Sequence, residues 1–131
     1  HTASEAILKG RGTILLVDDE EGILEIGRAM IEDLGYQAMT ARSGEEAIDL
    51  YTAHKDGIDL VLLDMIMPGM NGGKVYDRLK SINPGINVLL ISGYSIEGEA
   101  KKILARGCNG FIQKPFKIEA LSRKIRDILG G

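Results

Sequence analysis

Ile14-Leu15-Leu16-Val17-Asp18-Asp19-Glu20-Glu21 is the stretch on which the fold turns: four apolar residues run without a break into four acids. A strand with one wet face alternates apolar and polar residues. An unbroken run points to a strand covered on both faces, as in a parallel sheet. Residues 60–63 and 88–91 repeat the pattern and stop at Asp64 and Ser92. Residues 36–41 and 109–113 are weaker strand candidates.

Between these runs the apolar residues fall at helical spacing. Ile23, Gly27, Met30 and Leu34 form one stripe, and Ile118, Leu121, Ile125 and Ile128 another. Val75, Leu79 and Ile82 form a third, stopped by Pro84 and Gly85. Ala100, Ile103 and Leu104 mark a fourth helix. Ala47, Ile48 and Tyr51 mark a fifth, with Ser43 as its cap and Glu46 three residues later. Five strands alternating with five helices predict a doubly wound α/β fold with right-handed crossovers. The connections are short and no repeat or low-complexity linker appears, so one domain accounts for the chain.

The bulk properties agree. The chain has 131 residues, 44% hydrophobic and 27% charged, which suits one ordinary core. A net charge of −3 argues against non-specific nucleic-acid binding through the overall field. The single cysteine, Cys108, excludes a disulfide within the chain and reads as a small buried hydrophobe. No apolar run approaches the roughly 20 residues needed to span a bilayer. His1 to Lys9 lack the layout of a signal peptide, and residues 1–11 read as a tag remnant or linker, leaving residues 12–131 as the domain.

In open α/β sheets, ligands bind beyond the carboxyl ends of the strands. Here those ends carry Asp18 and Asp19, then Asp64, then Ser92, and near the last strand Lys114 followed by Pro115. Each alone is an ordinary cap or turn residue; together, in this order, they form a candidate site. Two like charges about 4 Å apart repel by roughly 4 kcal/mol at an effective dielectric near 20. A hard divalent cation offsets that repulsion, and Mg²⁺ prefers oxygen ligands, retained waters and phosphate. Lys114 adds a positive charge able to pair with a phosphoryl oxygen.

At these residues the chain resembles the receiver domain of two-component response regulators, from about Gly12 to Leu129. LLVDDEE at 15–21, LLDMIMPGMNG at 62–72, LLISGYS at 89–95 and FIQKPF at 111–116 carry the resemblance. It implies a flavodoxin-like sheet of order 2-1-3-4-5 with helices on both faces. It also implies that Asp64 takes a phosphoryl group from a phosphohistidine on a histidine kinase or histidine phosphotransfer domain. Asp19 would bind Mg²⁺ directly and Asp18 through water, with Asp64 and the backbone carbonyl of Ile66 completing the ligands. Lys114 would pair with the acyl phosphate. Ser92 would turn its hydroxyl to the phosphate, and Phe111 would rotate inward behind it, switching the face of the fourth helix, fifth strand and fifth helix. Pro115 is similar to the family's cis proline, which fixes where Lys114 points. By the same resemblance the domain is cytoplasmic and bacterial, and touches neither nucleic acid nor membrane itself.

Some positions depart from the family's commonest pattern. Ser92 stands for threonine, and Phe111 for tyrosine, so any switching at Phe111 works by packing without a hydroxyl. Ile66 and Tyr94 would flank the phosphoryl group. Gly72 is expected to open the third helix, Met65 and Met67 to pack around the loop, and His54 to follow a helix in solvent. Lys101 and Lys102 read as a solvated face on the partner-docking helix. The approach Lys9-Gly10-Arg11-Gly12-Thr13 is similar to the junction after the ATP-binding domain of hybrid sensor histidine kinases. A stand-alone regulator and a multidomain regulator are the other contexts. Two other functions compete with this one. A Mg²⁺-dependent phosphohydrolase would use Asp64 as nucleophile, but Ile66 stands where its proton donor belongs. A flavin or nucleotide module would want Gly, Ser or Thr where Asp18 to Glu21 stand.

Overall fold

The computed structural model of the chain describes residues 10–93 and 98–130; Tyr94, Ser95 and residues 1–9 lie outside the described residues. Five strands, β1 (Thr13–Val17), β2 (Gln37–Ala41), β3 (Leu60–Asp64), β4 (Val88–Ser92) and β5 (Gly110–Gln113), alternate with five helices. The helices are α1 (Glu21–Asp33), α2 (Gly44–His54), α3 (Gly72–Ile82), α4 (Glu99–Ala105) and α5 (Ile118–Leu129). All strand pairs are parallel and the order is β2-β1-β3-β4-β5. The predicted doubly wound sheet is therefore the observed one.

Strand pleating divides the core in two. Ile14 and Leu16 of β1, Leu60 and Leu62 of β3, and Leu89 and Ile91 of β4 face one side, against Leu24 and Ile31 of α1 and Leu121 and Ile125 of α5. Leu15, Val17, Val61, Leu63, Val88 and Leu90 face the other, against α2, α3 and α4. Both faces of β1, β3 and β4 are covered, which is why their sequences do not alternate. Each fully buried large aliphatic side chain contributes about 1.5–3 kcal/mol relative to exposure.

Local chemistry sets the helix ends. The Ser43 hydroxyl accepts the Glu46 N–H at 3.1 Å, as the cap pattern predicts. The Glu46 carboxylate reaches back to the Arg42 N–H, one residue before the cap. Asn71 caps α3 by accepting the Lys74 N–H at 3.0 Å. Gly72 does open α3, because a Cβ there would lie 2.8 Å from the Met65 backbone.

Several details differ from the sequence expectations. The edge strands begin at Gln37 and Gly110, one residue later than predicted, because Tyr36 turns into the α1/α5 core and Asn109 spends its amide on neighbouring chain. On α1 the fully buried residues are Leu24 and Ile31; Ile23, Gly27 and Met30 are half-buried. His54 is exposed as expected but is the last residue of α2. Cys108 is half-buried, its thiol 3.2 Å from the Val88 carbonyl oxygen, and burial raises its pKa.

The amino ends of β1, β3, β4 and β5 are tied by a ladder of hydrogen bonds, mostly uncharged, around one acid. The Thr13 N–H donates to Asp59 at 2.8 Å. The Asn87 amide donates to the Asp59 carbonyl at 3.2 Å, and the Asn109 amide to the Asn87 side-chain oxygen at 3.1 Å. The Val88 N–H then donates to Asn109 at 2.8 Å. This ladder holds four strands in register at the end remote from the acids.

Candidate functional site

At the carboxyl ends of the strands the expected residues converge. Asp18 follows β1 and is held there by its own N–H, which donates to the Ala41 carbonyl at 3.1 Å. Its side chain accepts the Glu20 N–H at 3.0 Å, a short-range turn that aims the carboxylate inward. Asp64 ends β3, and the next N–H, of Met65, donates to Ile91 of β4 at 3.0 Å. Asp18 and Asp64 are buried, while Asp19 is exposed. One carboxylate oxygen from each of Asp18, Asp19 and Asp64 lies within 4.8 Å of the others.

Lys114 closes the site from the β5 side. Its N–H donates to the Ser92 carbonyl at 2.7 Å, which joins the ends of β4 and β5. The Lys114–Pro115 peptide is cis, as expected from the sequence. The Lys114 ammonium lies 3.1 Å from Asp18 Oδ2 and 3.3 Å from Asp64 Oδ1. With no phosphoryl group present, the ammonium expected to meet phosphate bridges the two buried acids.

The electrostatics follow from this crowding. Burial, then the Asp18 charge, pushes the Asp64 carboxyl up to about 6, with Asp19 adding to the rise and Lys114 opposing it. Burial draws Lys114 down, but its hydrogen bond to Asp18 and the charges of Asp64 and Asp18 outweigh that and hold it above its ordinary value. Three hard oxygen donors on one rim fit a divalent cation of the Mg²⁺ or Ca²⁺ class far better than a soft metal.

The remaining candidates sit around this centre. Ser92 is buried at the end of β4. Phe111 is half-buried and already packs into the α2/α3/α4 side of the core. Ile66 is 60% exposed, beside the site and open to solvent. Met65 and Met67 are buried in the loop, and Lys101 and Lys102 are exposed on α4, as expected. Missed by the sequence reading were the Glu20 N–H that aims Asp18 and the Arg42–Glu21 ion pair at 2.7 Å. The first had a signal, an Asp two residues before its donor; the second joins segments 21 residues apart and had none. No helix among the described residues is long and apolar enough to cross a membrane.

Comparison with known proteins points the same way. Residues 14–126 match the model of the response regulator receiver domain. The chain is 30% identical over 120 residues to the polar-differentiation response regulator DivK of Brucella anthropi, covering 90% of this chain and 96% of that protein. It is 31% identical to the sensor kinase CckA of Brucella abortus over 93% of this chain, but spans only 13% of that protein's length. Among solved structures, the response regulator TrrA of Thermotoga maritima, in complex with Mg²⁺-BeF, superposes with a TM-score of 0.81 at 29% identity, over 90% of this chain and 99% of that one. A doubly wound sheet with its acids at the β1 and β3 ends, a lysine after β5 and a family match over nearly the whole chain lead to one conclusion: the chain belongs to the response regulator receiver domain family, the phosphoacceptor signalling modules of two-component systems.

Proposed function

We propose that Asp64 is the phosphoacceptor of this receiver. The observation that carries the proposal is the placement of Asp64 beneath Lys114 and within carboxylate reach of Asp18 and Asp19. A carboxylate oxygen of Asp64 attacks the phosphorus of a phosphohistidine. The O–P bond forms as the P–N bond breaks, and the imidazole leaves with the electron pair. Lys114, released from Asp18, pairs with a phosphoryl oxygen. Such transfers need positioning and charge neutralisation more than covalent chemistry.

Mg²⁺ is the cofactor we assign, held by Asp18, Asp19, Asp64 and the Ile66 carbonyl. When bound it would neutralise the carboxylates and the incoming phosphoryl oxygens. The phosphoryl group brings a charge of about −1.5 to −2 and new acceptors, which draw the Ser92 hydroxyl and alter packing at Phe111. Because Phe111 already lies against the core, its share in the switch is a repacking toward the α4-β5-α5 face. The partner is a histidine kinase or histidine phosphotransfer protein, and the setting is cytoplasmic. Similarity to CckA supports a place within a larger sensor kinase, with residues 1–11 as linker and 12–131 as the receiver. A phosphohydrolase gains no support, since Ile66 has no proton to give.

The test is labelling by acetyl phosphate with Mg²⁺, read by intact mass. The expected result is one added phosphoryl group in the wild type, and none in Asp64→Asn or in excess chelator. Unchanged labelling of Asp64→Asn overturns the assignment.

A further inference from the structure

Along the seam between α2 and α3 run two rows of exposed side chains that the phosphoacceptor reading does not use. On α2 the row is Glu45, Asp49 and Thr52; on α3 it is Lys74, Arg78 and Ser81. Both rows are spaced i, i+4, i+7, so each forms a ridge along one side of its helix. Both helices follow the carboxyl ends of parallel strands and run the same way. Glu45 is the second residue of α2 and Lys74 the third of α3, so the acids stand level with the cations. Gly44 lets the helices approach, since a Cβ there would lie 2.5 Å from Val75 Cγ2. Between the rows is a furrow open to solvent. Glu45 and Lys74 border it near the helix starts, and Asp49 and Arg78 border it further along.

Across this furrow opposite charges face each other without meeting. Among the described residues, no ion pair engages Glu45, Asp49, Lys74 or Arg78. The two hydroxyls are satisfied on their own helices: Thr52 donates to the Ile48 carbonyl and Ser81 to the Arg78 carbonyl, each at 2.7 Å. The face therefore offers four unpaired charges, and covering it strands no hydroxyl.

This pattern selects its occupant. A partner surface of one sign gains at one row what it loses at the other. A second copy of the chain does not. A two-fold axis parallel to the helices, lying between the two molecules, sets each acidic row against a basic row, and the same patch serves on both sides.

We propose that the α2–α3 face is a self-complementary docking surface for a second copy of this chain, with Glu45 of each copy pairing with Lys74 of the other and Asp49 with Arg78. Thr52 and Ser81 meet beyond them as a neutral contact. Exposed ion pairs contribute little each, so the dimer is weak and salt-sensitive, and what the charges fix is its register. The proposal does not depend on the role of Asp64.

The experiment exchanges the charges. Sedimentation of the wild type at millimolar concentration and low salt is expected to show monomer and dimer in exchange. Raising salt from about 50 mM to about 500 mM should weaken the dimer about tenfold or more. On dilution, amide shifts of ¹⁵N-labelled protein should move in α2, α3 and the turns leading into them, and not on other faces. Glu45→Lys with Asp49→Lys makes both rows basic; Lys74→Glu with Arg78→Glu makes both acidic. Each folded variant alone should be monomeric, and an equal mixture of the two should restore the dimer with shifts on α2 and α3. A wild type that stays monomeric at low salt overturns the proposal, since the rows then pair across their own furrow or stay solvated. So does a dimer that persists unchanged in either variant, a set of shifts on another face, or a mixture that stays monomeric.

Discussion

The two ends of this sheet are built on opposite principles. At the amino end, Asp59, Asn87 and Asn109 hand hydrogen bonds from strand to strand, mostly between uncharged groups, each donor meeting an acceptor. At the carboxyl end, three carboxylates crowd one rim with Lys114 as their only close cation among the described residues. One end satisfies its polar groups; the other keeps charges in conflict, and Asp64 shows it by holding its proton to about 6. Stability is concentrated where nothing reacts, and repulsion where a phosphoryl group and a cation would relieve it. Functional sites commonly trade stability in this way.

The comparison can be broken most forcefully at Lys114. In metal-free protein at neutral pH, Lys114→Gln leaves Asp18 and Asp64 facing each other, and a loss of about 3 kcal/mol in urea unfolding is expected. The loss should shrink at acidic pH, where Asp64 takes a proton. A variant as stable as wild type would mean that the carboxyl rim is not under charge stress.

Asp64 sharpens the same point. Its native pKa of about 6 lies above its ordinary 3.8, so between those values the folded state holds a proton that the unfolded chain has released. Stability therefore falls as pH rises through that window, by no more than about 3 kcal/mol from this group. Asp64→Asn should flatten the fall and raise metal-free stability near neutral pH by about 1–2 kcal/mol. Chemical denaturation across the window, in chelator, measures both. A variant that is less stable than wild type at neutral pH would contradict the comparison.

At the amino end the expected effects are smaller and of the other kind. Asn109→Ala removes two ladder bonds at an exposed residue and should destabilise by about 1 kcal/mol, with the rate of acetyl phosphate labelling unchanged. A changed rate would mean the two ends are coupled. Smallest of all is the exposed Arg106–Asp77 pair between α4 and α3, at 3.0 Å. Asp77→Asn should shift stability by about 0.5 kcal/mol or less, and salt should erase the difference.

The carboxyl end was far more legible in the sequence than the amino end. Unbroken runs such as Ile14 to Val17 announce strands buried on both faces, and the acid that ends each run marks the rim. The edge strands were blurred because one side of each meets no neighbour, so residues such as Gln37 and Gln113 dilute the pattern. The asparagine ladder was invisible for a physical reason: Asn and Asp before a strand look like any turn, and their partners lie 28 and 22 residues away. The α1 stripe was only partly right, because spacing alone does not say which residues of a half-buried helix point straight at the sheet. Leu24, Ile31 and Leu34 are buried, while Ile23 and Met30 flank them half-buried. Lys114 was found, but its bridge to Asp18 was not, since 96 residues separate them.

One measurement bears most directly on the use of the carboxyl rim. The labelled protein is reduced with borohydride, which converts an aspartyl phosphate to homoserine, and its peptides are sequenced by mass spectrometry. Homoserine at position 64 alone is the expected result; homoserine at Asp18 or Asp19, or none in protein that carries the phosphoryl group, would contradict it.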